Sequence, residues 1–125
     1  MAYDADLAQR LRAAMPAGGR VSEVRMFGGL CFMLNGNMLC GVHKSELIFR
    51  VGKEQHTAAL VRPGARPMDI TGRPMAGFVF VDPARCDRRR LESWVALAGA
   101  YVGRLPVKQR KARPTRFIRK NRRTS

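Results

Sequence analysis

The sequence predicts an α+β fold: a mainly antiparallel sheet of about five strands, with N- and C-terminal helices packed on it and a disordered basic tail beyond. Three observations carry this reading. Apolar residues recur at helical spacing near both ends of the folded part, first in Leu7, Leu11, Ala14 and Met15, then in Leu91, Trp94, Val95, Ala98 and Val102. Between them stand short apolar runs of strand length, separated by Gly, Asn and Pro. One separator is Leu34-Asn35-Gly36-Asn37, and Asn-Gly is the strongest short-range hairpin signal. A chain of 125 residues with 46% hydrophobic content has room for one ordinary globular core.

The elements follow in order. Asp4 or Asp6 caps the first helix, and Pro16 with Gly18-Gly19 ends it. Val21, Val24 and Met26 make a short strand that breaks at Phe27-Gly28-Gly29. Leu30 to Leu34 is a second strand, Met38 to His43 a third and Leu47 to Val51 a fourth. Lys53 to Val61 reads as a short helix stopped by Arg62-Pro63-Gly64. Met68 to Ile70 reads as a short strand, Thr71-Gly72-Arg73-Pro74 as a turn and Gly77 to Val81 as a buried strand. Asp82 then caps the long final helix with Pro83 in its first turn, and Gly103 stops it.

A two-residue loop at Asn35-Gly36 sets the hairpin register. Leu34 then faces Asn37, Met33 faces Met38, Phe32 faces Leu39 and Cys31 faces Cys40. This register places Cys31, Met33, Met38, Cys40 and Val42 on one face, and Leu30, Phe32, Leu34, Leu39, Gly41 and His43 on the other. Both faces are largely apolar, so each needs a cover. Helices supply one, and a second subunit (a homodimer) or a wrapped loop is the candidate for the other. The same register makes Cys31 and Cys40 a candidate redox pair, at the short edge of disulfide geometry. With three cysteines and no secretory signal, the bland alternative is reduced thiols acting as small core hydrophobes.

Charge divides the chain in two. The net charge is +15, yet ten of the 24 basic residues and none of the nine acidic ones lie in residues 104–125. Residues 1–103 are therefore read as the folded domain and 104–125 as a disordered tail that buries too little apolar surface to offset its entropy. Lys108, Arg110, Lys111, Arg113, Arg116, Arg119, Lys120, Arg122 and Arg123 give that tail the character of a nucleic-acid arm, binding phosphates without reading sequence. The competing readings are a solubilising extension and a dock for an acidic protein. No apolar stretch is long enough to span a membrane, and the acidic start Tyr3-Asp4-Ala5-Asp6 is unlike a signal peptide, so no membrane role and a cytoplasmic setting are expected.

Two short motifs remain: Arg25-Met26-Phe27-Gly28-Gly29 and Gly72-Arg73-Pro74-Met75, each followed by a strand-like run. Together with Asn35-Gly36-Asn37-Met38, Leu47-Ile48-Phe49-Arg50-Val51 and Trp94, they occur in the order and spacing of a known family. Over roughly residues 7–102 the chain resembles the N-terminal domain of the TfoX/Sxy family, bacterial proteins named after regulators of natural competence. The resemblance implies an α+β fold, a regulatory role and no catalytic residues or cofactors. It also implies a second, helical domain in full-length regulators, with no counterpart in these 125 residues.

The residues themselves lead to the same place. Gly28-Gly29 precedes a strand and lacks a following lysine, so a bend or bulge is preferred to a phosphate loop. Gly72-Arg73-Pro74-Met75 reads as a structural turn, with Arg73 beside Arg62 and Arg66 as the competing anion pocket of a small enzyme. No CxxC pair supports zinc, and His43 and His56 have no evident nucleophile or carboxylate partner. The expectation is a non-enzymatic regulatory or accessory domain, meeting a protein partner through its folded part and nucleic acid through its tail. The alternative is an adaptor whose tail meets an acidic protein.

Overall fold

A computed structural model describes residues 3–15, 21–26, 28–68 and 75–107. The chain runs α1 (Ala5–Ala13), β1 (Val21–Met26), β2 (Gly29–Leu34), β3 (Asn37–His43), β4 (Glu46–Arg50), α2 (Lys53–Leu60), β5 (Ala65–Pro67), β6 (Phe78–Val81), a 3₁₀ turn at Pro83–Arg85 and α3 (Arg88–Val102). The strands form one antiparallel sheet in the order β1-β2-β3-β4-β6-β5. The α+β expectation holds, with six strands rather than about five.

Three differences from expectation have local causes. A strand at Ala65–Pro67, which the sequence did not suggest, pairs with β6 at the far edge of the sheet; Met68 is outside it, and the rest of the strand expected at Met68 to Ile70 lies outside the described residues. Asp82 caps only the 3₁₀ turn, its side chain accepting from the Ala84 amide at 3.0 Å. The cap of the long helix lies five residues later, where Asp87 accepts from the Arg90 amide at 2.9 Å. The folded chain also continues past Gly103: Leu105 packs against the core and the Pro106 carbonyl accepts from Asn37 Nδ2 at 3.0 Å.

The hairpin turn forms as its residues demand, with φ 53° at Asn35 and 82° at Gly36. Its register agrees for Leu34–Asn37 and Met33–Met38 and then slips. A bulge at Leu39 pairs Phe32 with Cys40, Cys31 with Gly41, Leu30 with Val42 and Gly29 with His43. Because side chains alternate along a strand, one extra residue exchanges the faces of everything beyond it. Leu39 stays with Leu30 and Phe32 on the helix-covered side, Cys40 and Val42 join them, and Gly41 and His43 move to the side of Cys31.

The helix-covered face is the main core. Leu11, Phe32, Leu39, Phe49, Val79, Leu91 and Trp94 meet there, with α1 and α3 over the middle strands and α2 against β5 and β6. Phe49 stacks on Trp94 with ring centroids 5.3 Å apart, and Arg62 lies 5.0 Å over the outer face of the indole. The opposite face holds a smaller apolar cluster of Ile48, Met68 and Phe80, flanked by Met38, Met75 and Phe78. Among the described residues, Met68 and Met75 close over this face, the Met75 amide donating to the Met68 carbonyl at 3.0 Å.

Candidate functional site

The Arg25-Met26-Phe27-Gly28-Gly29 motif is a turn whose two glycines serve different needs. Gly28 holds φ 73°, a left-handed conformation that costs other residues energy. Gly29 lies so close to β3 that an added Cβ would overlap the Val42 carbonyl oxygen. Phe27 lies outside the described residues, as do Gly72, Arg73 and Pro74 of the second motif. So do Pro16 and Gly18-Gly19, Ile70 and Thr71, and tail residues Lys108, Arg110, Lys111, Arg113, Arg116, Arg119, Lys120, Arg122 and Arg123.

The described members of both motifs meet at one place. Met26 and Gly29 from the first and Met75 from the second line a cavity of about 240 Å³ on the sheet face opposite the helices. Cys31, Met38, Ile48 and Met68 complete most of its wall, with His43 and Phe78 at the rim. His43 stacks on Phe80, with centroids 6.1 Å apart.

The cysteine pairing expected from the sequence is not formed. Cys31 opposes Gly41 and Cys40 opposes Phe32, so the two thiols point to opposite faces, and all three cysteines are free and buried. Burial pushes the Cys31, Cys40 and Cys86 thiols up from their ordinary range, Cys40 furthest. The arginine pocket also fails to assemble. Arg62 lies on the helical side, over Trp94 and beside Ser93 Oγ at 3.2 Å. Arg66 lies on the other face, 4.5 Å over Phe80 and paired with Glu46. His56 Nε2 is buried without a partner, and no group of three or more His, Cys, Asp or Glu gathers among the described residues.

A second concave feature was not legible in the sequence. A groove of about 460 Å³ runs between the end of β4, the start of α2, the start of β6 and the end of α3. Arg50, Lys53 and Arg104 supply its positive charge, against one acid, Glu54. The Arg50 guanidinium is held between two rings, 5.5 Å from Phe78 and 5.7 Å from Tyr101. It also lies 3.4 Å from the Met38 carbonyl oxygen. Residues 104–107 run from this groove toward the tip of the β2–β3 hairpin, where Pro106 meets Asn37. Arg50 and Phe78 are cross-strand partners 28 positions apart, and only the β4–β6 pairing reveals them.

These features define a small α+β domain that carries a basic groove and an apolar cavity. The chain belongs to the TfoX N-terminal domain family: the family model matches residues 13–101, most of the folded part. Membership points to a regulatory or accessory role, in a family that is generally non-enzymatic. Comparison with curated proteins gave no significant match, and neither did comparison with solved structures. Among the described residues, no helix is long and apolar enough to cross a membrane.

Proposed function

We propose that this is a non-enzymatic regulatory or accessory domain that holds nucleic acid loosely through its basic C-terminal segment and meets a protein partner through its folded part. The observation that carries the nucleic-acid reading is the charge distribution: ten cations and no acid in residues 104–125. That segment departs beside a groove carrying Arg50, Lys53 and Arg104, so phosphate contacts begun by the tail have a basic surface to continue on. The protein-binding edge is β1. It is the outermost strand and half exposed, whereas the other edge is three residues long and ends in Pro67. A second copy of the chain is one partner that fits this edge.

The test is truncation after Val107, which keeps the packed Leu105 and removes Lys108 onward. Gel shifts with DNA and RNA oligonucleotides across a salt series should show binding by the full chain that weakens steeply with salt, and little binding by the truncated form. Equal binding by both forms refutes the tail assignment. A protein retained by the full chain from nuclease-treated lysate, and lost with the tail, would instead favour the acidic-protein reading.

A further inference from the structure

We infer that the cavity on the sheet face opposite the helices is a binding site for a small, neutral, apolar molecule of about the size of a bicyclic aromatic ring. Native interiors pack to the density of organic crystals, and voids larger than a water molecule are few. Here a partly open pocket of about 240 Å³ is left among the described residues. The space is built by the backbone rather than left by a poorly fitting side chain. On this face of β2 and β3 two positions, Gly29 and Gly41, carry no side chain, and the strands approach too closely there to admit one. A Cβ at Gly41 would come within 2.6 Å of the Leu30 carbonyl oxygen. The floor is therefore fixed by the sheet itself.

The walls decide the chemistry. Met26, Met38, Met68 and Met75 surround the space with thioethers, and Cys31 and Ile48 complete it. Among the described residues no carboxylate, lysine or arginine lines it, so a charged ligand would find no counter-charge among them to offset its lost hydration. His43 is the one polar side chain among the described lining residues, and its ring stacks on Phe80. Unbranched methionines adapt to a ligand's outline, and sulfur makes favourable contacts with aromatic edges. Apolar cavities of about 150 Å³ hold benzene, so a space half as large again suits two fused rings. Met26 and Gly29 on one side and Met75 on the other come from the two motifs that carry the family resemblance. Residues far apart in the chain thus line one cavity.

The probe is indole, titrated into the full chain by calorimetry and by thermal unfolding. Saturable binding is expected, with an upward shift of Tm and slower alkylation of Cys31, whose thiol faces the same space. Cys31→Leu fills part of the cavity; it should unfold at the same or a higher temperature and bind indole about tenfold more weakly or worse. Met38→Phe fills the same space from β3 and serves if Cys31→Leu is poorly folded. Absence of saturable indole binding overturns the inference, as does equal binding by the wild type and a well-folded filled variant. If both variants lower Tm and indole does not bind, the chain's own side chains already occupy the space, and the inference is equally overturned.

Discussion

Gly28 and Gly29 are adjacent, identical in chemistry and required for different reasons, so replacing each by alanine separates the two causes. At Gly28 the cost is conformational. A non-glycine residue in the left-handed region loses roughly 1–2 kcal/mol, and the reduced freedom of the unfolded chain returns about 0.4–1 kcal/mol. The net loss for Gly28→Ala is then about 1 kcal/mol. At Gly29 the cost is steric. The new methyl would overlap the Val42 carbonyl oxygen and lie 3.3 Å from its carbon, and both are backbone atoms that no rotamer change can move. Relief requires β2 and β3 to part where Gly29 pairs with His43, which places Gly29→Ala at the upper end of overpacking costs, about 2–3 kcal/mol. Urea unfolding followed by fluorescence of Trp94, the one tryptophan and a buried one, reads both. With slopes of about 1–3 kcal/mol per molar urea, the two midpoints should differ by about 1 M. Gly28→Asn, which tolerates positive φ, should recover most of its loss, and no polar substitution should do so at Gly29. A Gly29→Ala loss no larger than that of Gly28→Ala refutes the close-approach argument.

Two further predictions rest on groups of known position. Burial raises all three thiols, so their folded-state values lie above the unfolded ones; stability is full below about pH 8.5 and falls as pH rises, by up to about 1.4 kcal/mol per pH unit per thiol. Urea titrations from pH 7 to 10 should show this decline, and Cys40→Val should reduce its slope; an unchanged slope contradicts burial of Cys40. Asp87→Ala should cost about 1 kcal/mol through loss of the cap on α3, while Asp82→Ala, which uncaps only the 3₁₀ turn, should cost less; the reverse order in thermal unfolding would place the helix start at Asp82.

What the sequence made legible follows from the range of the interactions involved. The Asn35-Gly36 turn, the α1 cap at Asp4 and the apolar stripe of α3 are local patterns, and each appears where its residues place it. The face assignment of β3 failed beyond Leu39 because a bulge is set by packing against β4 and the helices, which a hairpin rule does not contain. That single residue moved Cys40 away from Cys31 and placed His43 beside the cavity. The groove was invisible for a related reason. Arg50 and Phe78 become neighbours only when β6 returns beside β4 across an intervening helix and edge strand. Asp82-Pro83 carries a sound helix-start signal, yet the chain spends it on one 3₁₀ turn because Cys86 turns inward and is buried before α3 begins.

Phe78 joins the two concave surfaces. Its ring forms part of the cavity rim, and the same residue lines the groove, where it lies 5.5 Å from the Arg50 guanidinium. Met38 repeats the connection, with its side chain in the cavity wall and its carbonyl oxygen near Arg50 Nη1. A molecule seated among the methionines would contact Phe78, and any shift of that ring would change its distance from the Arg50 guanidinium in the groove. If the proposed ligand and nucleic acid both bind, their affinities are coupled, and the coupling is equal in both directions. Saturating indole should therefore change the oligonucleotide affinity of the full chain, and saturating oligonucleotide should change the indole affinity by the same factor. Phe78→Leu keeps an apolar rim but removes the ring, so it should shrink that factor toward one while leaving tail-driven binding in place. Two affinities that each ignore the other ligand would show that the shared residue transmits nothing.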